Sequence, residues 1–293
     1  MQIYYKPSGK FSILSFLFFV PTALLIVPII SLIYAYLIWY IPFIYFNFFI
    51  TIGFGFLVGF TVSMLVVKKG KVRNKYLAAF FGLLAAFVAI YFDFMVYVDL
   101  AINAGQTIGN NRIGITVSNI KFLDVFALGM QPEILWQYIV ELNSVGTWGI
   151  RGATASGFFL TFVWLIEFIM IAGVSIFVNF ITAKDPFCEL SDDWYKQVDL
   201  PKLNFIENTD KLLTDLSITN LSVFDDLDIV DNKIQRHSVF TLYTAPQNRE
   251  HYLTIVNKES KINANGKADF DTVDIAQYLK ITSQLSSKLL EKK

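Results

Sequence analysis

Residues 11–67 contain no Asp, Glu, Lys, Arg or His. A soluble domain interrupts an apolar run of that length with charge, so lipid is the solvent this pattern fits. At 1.5 Å rise per residue, roughly 20 apolar residues cross a ~30 Å hydrocarbon layer. The run therefore predicts two crossing helices, about residues 12–38 and 42–67, joined by a tight turn. Trp39, Tyr40 and Pro42 mark that turn, because aromatic rings with polar tips favour the membrane–water boundary and the residue before a proline is biased away from helix. Pro21 and Pro28 fall inside the first helix and predict a kink.

Two more apolar stretches complete a predicted four-helix bundle in residues 1–182, at about 76–98 and 157–181. The outer segment 99–156 between them is of mixed character. Its residues 105–114, with Asn110 and Asn111, read as turns; residues 132–142 read as a short helix with Ile134, Tyr138 and Ile139 on one apolar face, lying along the outer membrane surface. Residues 146–149 read as a further turn.

From Ala183 onward the periodicities change and predict a small cytoplasmic α+β domain, residues 183–293. Phe205, Leu212, Leu213 and Leu216 share one helical side. Residues 238–244 and 252–262 alternate as strands, and Asn265-Gly266 signals a tight hairpin turn before a short strand ending near Phe270. A helix capped by Asp271 or Thr272 would then carry Ile275, Tyr278, Leu279, Leu285 and Leu289 as an apolar stripe.

Charge fixes the orientation of this scheme. Lys68, Lys69, Lys71, Arg73 and Lys75 put five cations into eight residues, and positive residues in short loops stay on the cytoplasmic side. Both ends of the chain are then cytoplasmic. Lys6 and Lys10 precede the first apolar run as in a signal peptide, but the run is far longer than such a signal uses and no small-residue cleavage site ends it, so it reads as an uncleaved anchor. The 293 residues are 55% hydrophobic with 29 Phe, as expected for a membrane protein carrying a soluble part. Residues 183–293 hold 18 acidic and 14 basic side chains, which argues against nucleic acid as a partner.

Candidate chemistry is sparse. Asp93 and Glu167 fall inside predicted crossings, where a charged side chain costs at least ~2.5 kcal/mol on insertion scales, so both become candidate intramembrane polar contacts. Glu167 reads either as a proton or cation site, as the partner of a basic residue on another subunit, or as a hydrogen-bonded structural glutamate. Gly55 and Gly59 in the second helix, and Ala78, Gly82 and Ala86 in the third, lie at four-residue spacing and are candidate helix-packing positions, within one chain or between copies. Asp225, Asp226, Asp228 and Asp231 form an acidic stretch, either solvated surface or a docking face for a basic partner. With Asp226 as its first ligand, an EF-hand loop would need glycine where Asp231 stands and glutamate where His237 stands, so calcium binding is rejected. One cysteine, Cys188, and two histidines, His237 and His251, offer no metal cluster. No nucleotide, hydrolase or metalloprotease motif is present, and His237 and Ser238 are adjacent on a strand and would point to opposite faces. Neither an enzyme nor a cofactor is expected.

In layout, with its apolar half from Phe11, its basic loop at residues 68–75 and its C-terminal cytoplasmic domain, the chain resembles the TssN membrane subunits of type VI secretion systems. The resemblance implies a non-enzymatic subunit of the bacterial inner membrane that anchors an envelope complex, in homo- or hetero-oligomers with other membrane subunits and a cytoplasmic partner such as a baseplate component. The alternative is an ion- or proton-coupled transporter or channel component using Glu167 and Asp93.

Overall fold

The computed structural model describes residues 4–41, 44–109, 114–150, 153–225, 227–230, 235–245, 250–262 and 268–292. Pro42, Asn110, Asn111, Asp226, Asp231 and the Asn265-Gly266 turn lie outside the described residues. The chain forms two compact units, one of Gly9–Lys184 and one that joins Asp185–Lys293 with the segment ending at Ser8.

The first unit is helical. In chain order it holds α1 (Leu14–Tyr40), α2 (Tyr45–Lys68), α3 (Lys75–Ile102), α4 (Phe122–Met130), α5 (Pro132–Val145) and α6 (Gly157–Thr182). Of these α1, α2, α3 and α6 are long and apolar enough to cross a membrane. The two prolines of α1 bracket a wider π-helical turn at Thr22–Ile26, the local adjustment by which a helix absorbs a missing amide donor. Thr22 Oγ1 donates to the Phe18 carbonyl at 2.7 Å in the same place.

The segment between α3 and α6 contains more order than its composition predicts. β1 (Thr107–Gly109) and β2 (Gly114–Thr116) form a hairpin where turns were expected, and β3 (Trp148–Ile150) pairs with β4 (Ala153–Ala155). The aromatic residues ending α1 hold this segment: Trp39 Nε1 donates to the Thr116 carbonyl at 2.8 Å, Tyr40 OH donates to the Ser118 carbonyl at 2.6 Å, and Tyr36 OH accepts from the Ile120 amide. α4 was not anticipated. Its Val125 and Leu128 join Leu135 of α5 and Met95, Val96 and Leu100 of α3 in one apolar cluster. The buried stripe of α5 is Leu135, Ile139 and Leu142 instead of Ile134, Tyr138 and Ile139. Phe122, Leu123 and Phe126 of α4 stay exposed, an apolar face of the kind that lies in a membrane interface.

The second unit is built on a five-stranded sheet. After a small hairpin, β5 (Phe187–Cys188) with β6 (Asp193–Trp194), come β7 (Lys196–Asp199), β8 (Leu203–Asn204), α7 (Thr209–Ser217), β9 (His237–Thr244), β10 (Glu250–Ile262), β11 (Ala268–Thr282) and α8 (Ser283–Leu290). The order is β11-β10-β9-β7, with β8 also on β9. Leu212, Leu216, Leu285 and Leu289 of the two helices pack with Phe240, Leu242, Leu253 and Ile255 of the sheet to make the core.

The helix expected from Asp271 is overturned: residues 268–282 are strand, and helix begins only at Ser283. Pairing with the whole length of β10 decides this, because cross-strand packing of Val273, Ile275 and Tyr278 outweighs a weak local preference. Apolar residues at 275, 278 and 279 imitate a helical period because the strand bulges there. The register shifts between Leu253 and Val256, and Tyr278 takes φ +54°, a left-handed conformation that costs a non-glycine residue energy. Similarly, the helix expected from Phe205 starts at Thr209, capped by Asn208 Oδ1 accepting from the Lys211 amide at 2.9 Å. Phe205 instead stacks beneath the Arg236 guanidinium.

Tyr4 and Tyr5 belong to this unit. Tyr4 bridges to Leu279 on the outer edge of β11, and the Tyr5 amide donates to the Tyr278 carbonyl at 3.0 Å. The Tyr5 ring meets Tyr252 at 5.2 Å and Tyr278 at 6.3 Å, both edge-on. Tyr278 OH donates to Asp185 Oδ1 at 3.1 Å. Burial, then the Asp185 charge, holds the Tyr278 phenol well above its ordinary pKa, and burial pushes Tyr252 up to about 12. Both therefore stay neutral at physiological pH.

Tyr5→Ala is expected to lower the stability of this unit by about 1–3 kcal/mol, seen as lost amide-exchange protection in β11 of the full chain while α1 to α6 keep theirs. Burial also holds His251 below the ordinary imidazole pKa, so the folded unit binds fewer protons there than the unfolded chain. That contribution is complete above about pH 6.5 and is lost as pH falls through that value toward the folded one. The unfolding midpoint of the wild type should accordingly drop more on acidification than that of His251→Gln; parallel curves would refute the assignment.

Candidate functional site

α2 and α3 both pack on α6, and α1 packs on α3 and α2. A Cβ on Gly55 would stand 2.9 Å from Ile171 Cα, and one on Gly59 would stand 2.8 Å from Ser175 Cα. From the other side, a Cβ on Gly82 would stand 2.8 Å from the Ser175 carbonyl. Ala78 and Ala86 are fully buried on the same stripe of α3. The small residues therefore seat α2 and α3 against α6 of the same chain. Close approach brings backbone carbonyls within reach of side chains: Ser175 Oγ donates to the Gly82 carbonyl at 2.9 Å, and Asn179 Nδ2 donates to the Gly59 carbonyl at 3.1 Å. Ser63 and Thr182 hydroxyls bond at 2.9 Å near the end of α2. On the far side of α3, Ser31 Oγ of α1 donates to the Ala89 carbonyl at 2.9 Å.

The same register brings together the two carboxyl groups. Gly55 on Ile171 and Gly59 on Ser175 imply, one turn earlier, Thr51 opposite Glu167. Ser31 on Ala89 implies, one turn later, Ala35 opposite Asp93, with Tyr34 beside it. Asp93 continues the Ala78–Gly82–Ala86–Ala89 stripe of α3 and Glu167 the Ile171–Ser175–Asn179 stripe of α6, and the Gly82–Ser175 approach, with ring pairs Phe87–Phe168 at 4.9 Å and Phe94–Trp164 at 5.4 Å, sets the two residues within about one turn of each other on facing helices. Tyr34 and Thr51 hydroxyls bond to one another at 2.9 Å. Asp93 Oδ1 and Asn47 Oδ1, the latter one turn from Thr51, are buried with no hydrogen-bond partner among the described residues. Each long helix thus gives a polar group to one level of an otherwise apolar bundle. Sequence reading finds Asp93 and Glu167 but not Tyr34, Thr51 or Tyr97, since uncharged hydroxyls in apolar helices stand out only once the helices are in register.

Elsewhere in this unit an open apolar groove lies between Leu32, Tyr36 and Tyr40 of α1 and Ile120 and Phe122. Its two tyrosine hydroxyls already bond the backbone of Ser118 and Ile120, so they are not free to orient a ligand.

In the sheet-rich unit the acidic stretch does not assemble as a four-carboxylate face among the described residues. Asp225 pairs with Lys288 at 2.7 Å, and Asp228 is exposed. Exposed ion pairs contribute little to stability. His237 and Ser238 have separate partners: His237 Nδ1 bonds the Gln235 carbonyl, while Ser238 Oγ accepts from the Ile206 amide and donates to Asn257 Oδ1. Cys188 is buried; burial raises its thiol pKa, but hydrogen bonds from Ser191, Leu190 and Tyr195 outweigh this and hold it below the ordinary value. A feature not foreseen is the end of the β10–β11 ribbon. β9 covers β10 only from Tyr252 to Lys258, so Glu259–Ile262 and Ala268–Asp271 run on as two strands with no third strand beside them among the described residues.

Gly59→Val is expected to force α2 off α6 and cost about 1–3 kcal/mol or more, read as a lower unfolding temperature of the full chain in detergent. Gly53→Ala, with nothing within 4 Å of the new methyl, should leave it unchanged. If both behave alike, the α2–α6 contact is wrong. No protein-family model, no curated protein and no solved structure matches this chain.

Proposed function

We propose that the chain is an integral membrane subunit that holds its sheet-rich unit at the membrane surface as a docking platform within a larger assembly. The observation that carries the reading is the projecting β10–β11 ribbon. A two-stranded ribbon without a third strand or a covering helix is only marginally stable in water, and an open strand edge is a surface on which extended segments of other proteins add as a further strand. Asp269 and Asp271 lie on the outer strand of this ribbon and Lys258 and Lys261 on the inner one, Lys261 pairing with Asp271, so what the ribbon offers a partner is its open row of backbone amides and carbonyls.

Topology supports the same reading. Residues 4–8 and 185–292 belong to one unit, so an even number of crossings must separate them, and α1, α2, α3 and α6 supply four. The cations at residues 68–75 favour the cytoplasmic side for that unit. The layout shared with TssN subunits favours an envelope-spanning secretion complex as the assembly.

Replacing residues 259–271 by an Asn-Gly turn tests the ribbon. The shortened chain should still partition into membranes and keep its unfolding temperature, yet lose the proteins that accompany the full chain through mild-detergent purification. Partners retained by the shortened chain, or a full chain recovered alone, would defeat the reading.

A further inference from the structure

We propose that Asp93 and Glu167 form a proton-binding site inside the bundle, with one proton held between the two carboxyl groups. The case begins with what is missing around them. Residues 11–67, 76–111 and 152–183 contain no Lys, Arg or His, so none of the four long helices carries a basic group at this level. The groups at this level are Tyr34 from α1, Thr51 from α2 and Tyr97, one turn from Asp93 on α3, all neutral and all poor proton acceptors. Two carboxylates that repel one another, with no counter-charge and no water-like surroundings, cannot both stay ionised.

Something positive must therefore reside with them, and the geometry selects its size. Asp93 Oδ1 is buried and lacks a hydrogen-bond donor, so the ligand must reach an atom closed off by the chain's own helices, where a proton fits without displacing them. A dehydrated hard cation takes about six or more oxygens. This level offers four carboxyl oxygens and the Asn47 amide oxygen, with the Tyr34 and Thr51 hydroxyls turned to each other, and no group of three or more His, Cys, Asp or Glu that could hold a metal ion occurs among the described residues. A proton needs one lone pair from each carboxyl and supplies the donor that Asp93 Oδ1 lacks. Because Asp93 is on α3 and Glu167 on α6, losing the proton sets two like charges between these helices. Occupancy of the site and the packing of α3 on α6 are then linked.

The site lies roughly ten residues, or ~15 Å, from the nearer end of α6. Residues around Glu167, among them Leu165, Ile166 and Ile169, are exposed on the outside of the unit, so a lipid-soluble reagent can approach. Dicyclohexylcarbodiimide modifies a carboxyl group only in its protonated form. The full chain in lipid vesicles would be treated across an acid-to-alkaline series, with and without sodium or potassium at constant pH, and the modified residue located by mass spectrometry. The proposal expects modification at Glu167 or Asp93 that falls at least tenfold toward alkaline pH and is indifferent to either cation. Protection by sodium or potassium would replace the proton by a metal cation and overturn the proposal, as would absence of modification at every pH. Asp93→Asn should move the pH at which Glu167 modification falls; an unmoved profile would mean that the proton is not shared. Should Asp93→Asn fail to fold, Asp93→Glu, which keeps both carboxyls, must retain the wild-type pH dependence. None of these readouts depends on partner proteins, so they stand or fall apart from the docking reading.

Discussion

Backbone-to-backbone approach on the Ile171–Ser175–Asn179 face of α6 is the constraint on which the helical unit rests. In an apolar medium the hydrophobic effect gives helices no reason to associate, so van der Waals contact and a few hydrogen bonds carry the whole task. Gly55, Gly59 and Gly82 let two helices come within side-chain reach of the α6 carbonyl ladder from opposite sides. Ser175 and Asn179 then find carbonyl acceptors on α3 and α2. Once that register is set, every other position along the helices is determined. Thr51 meets Glu167, and Tyr34 and Asp93 arrive at the same level, because each lies a whole number of turns from an anchored contact. The polar layer follows from the packing of small residues some distance away.

The helical half was legible in the sequence because its cause is local: the absence of charge over residues 11–67 and the length of each apolar run do not depend on what the chain meets later. The glycine and alanine spacing was also visible, but which helix it faced was not, since Ile171 and Ser175 advertise nothing. The sheet-rich half was harder for the opposite reason. β11 takes its form from β10 and from the tyrosines at 5, 243 and 252, all distant in sequence. Its bulge at Tyr278 also breaks the strict alternation by which a strand is recognised, leaving Ile275, Tyr278 and Leu279 at a helical spacing. α4 went unseen because Phe122, Leu123 and Phe126 face outward and only Val125 and Leu128 turn inward, so its apolar residues run together without a period.

The two halves manage polar groups in contrasting ways. In the sheet-rich unit Ser238, Asn257 and the Ile206 backbone form a small closed network in which each donor finds an acceptor, and such a network fixes one arrangement of the core. Among the long helices Asn47 Oδ1, Asp93 Oδ1, Asp99 Oδ1 and Asn179 Oδ1 are left over, against His251 Nδ1 in the sheet-rich unit. A buried acceptor without a donor costs about 1–3 kcal/mol, and a chain that could place any aliphatic side chain there has kept a carboxyl. Most of the unmet acceptors lie among the long helices, and at Asp93 the unmet acceptor falls near a second carboxyl group, where a small ligand changes the energy of the state.

The strand edge completed by Tyr4 and Tyr5 also dictates an order of events during biosynthesis. Those residues precede all four long apolar helices in the chain, and their partners Tyr278 and Leu279 follow them. The sheet cannot close until translation has passed residue 279, by which time α1 to α6 have already left the ribosome. The early arm therefore meets its β11 partners only after the helices between them have been made, and its docking ties together segments that the whole helical unit separates.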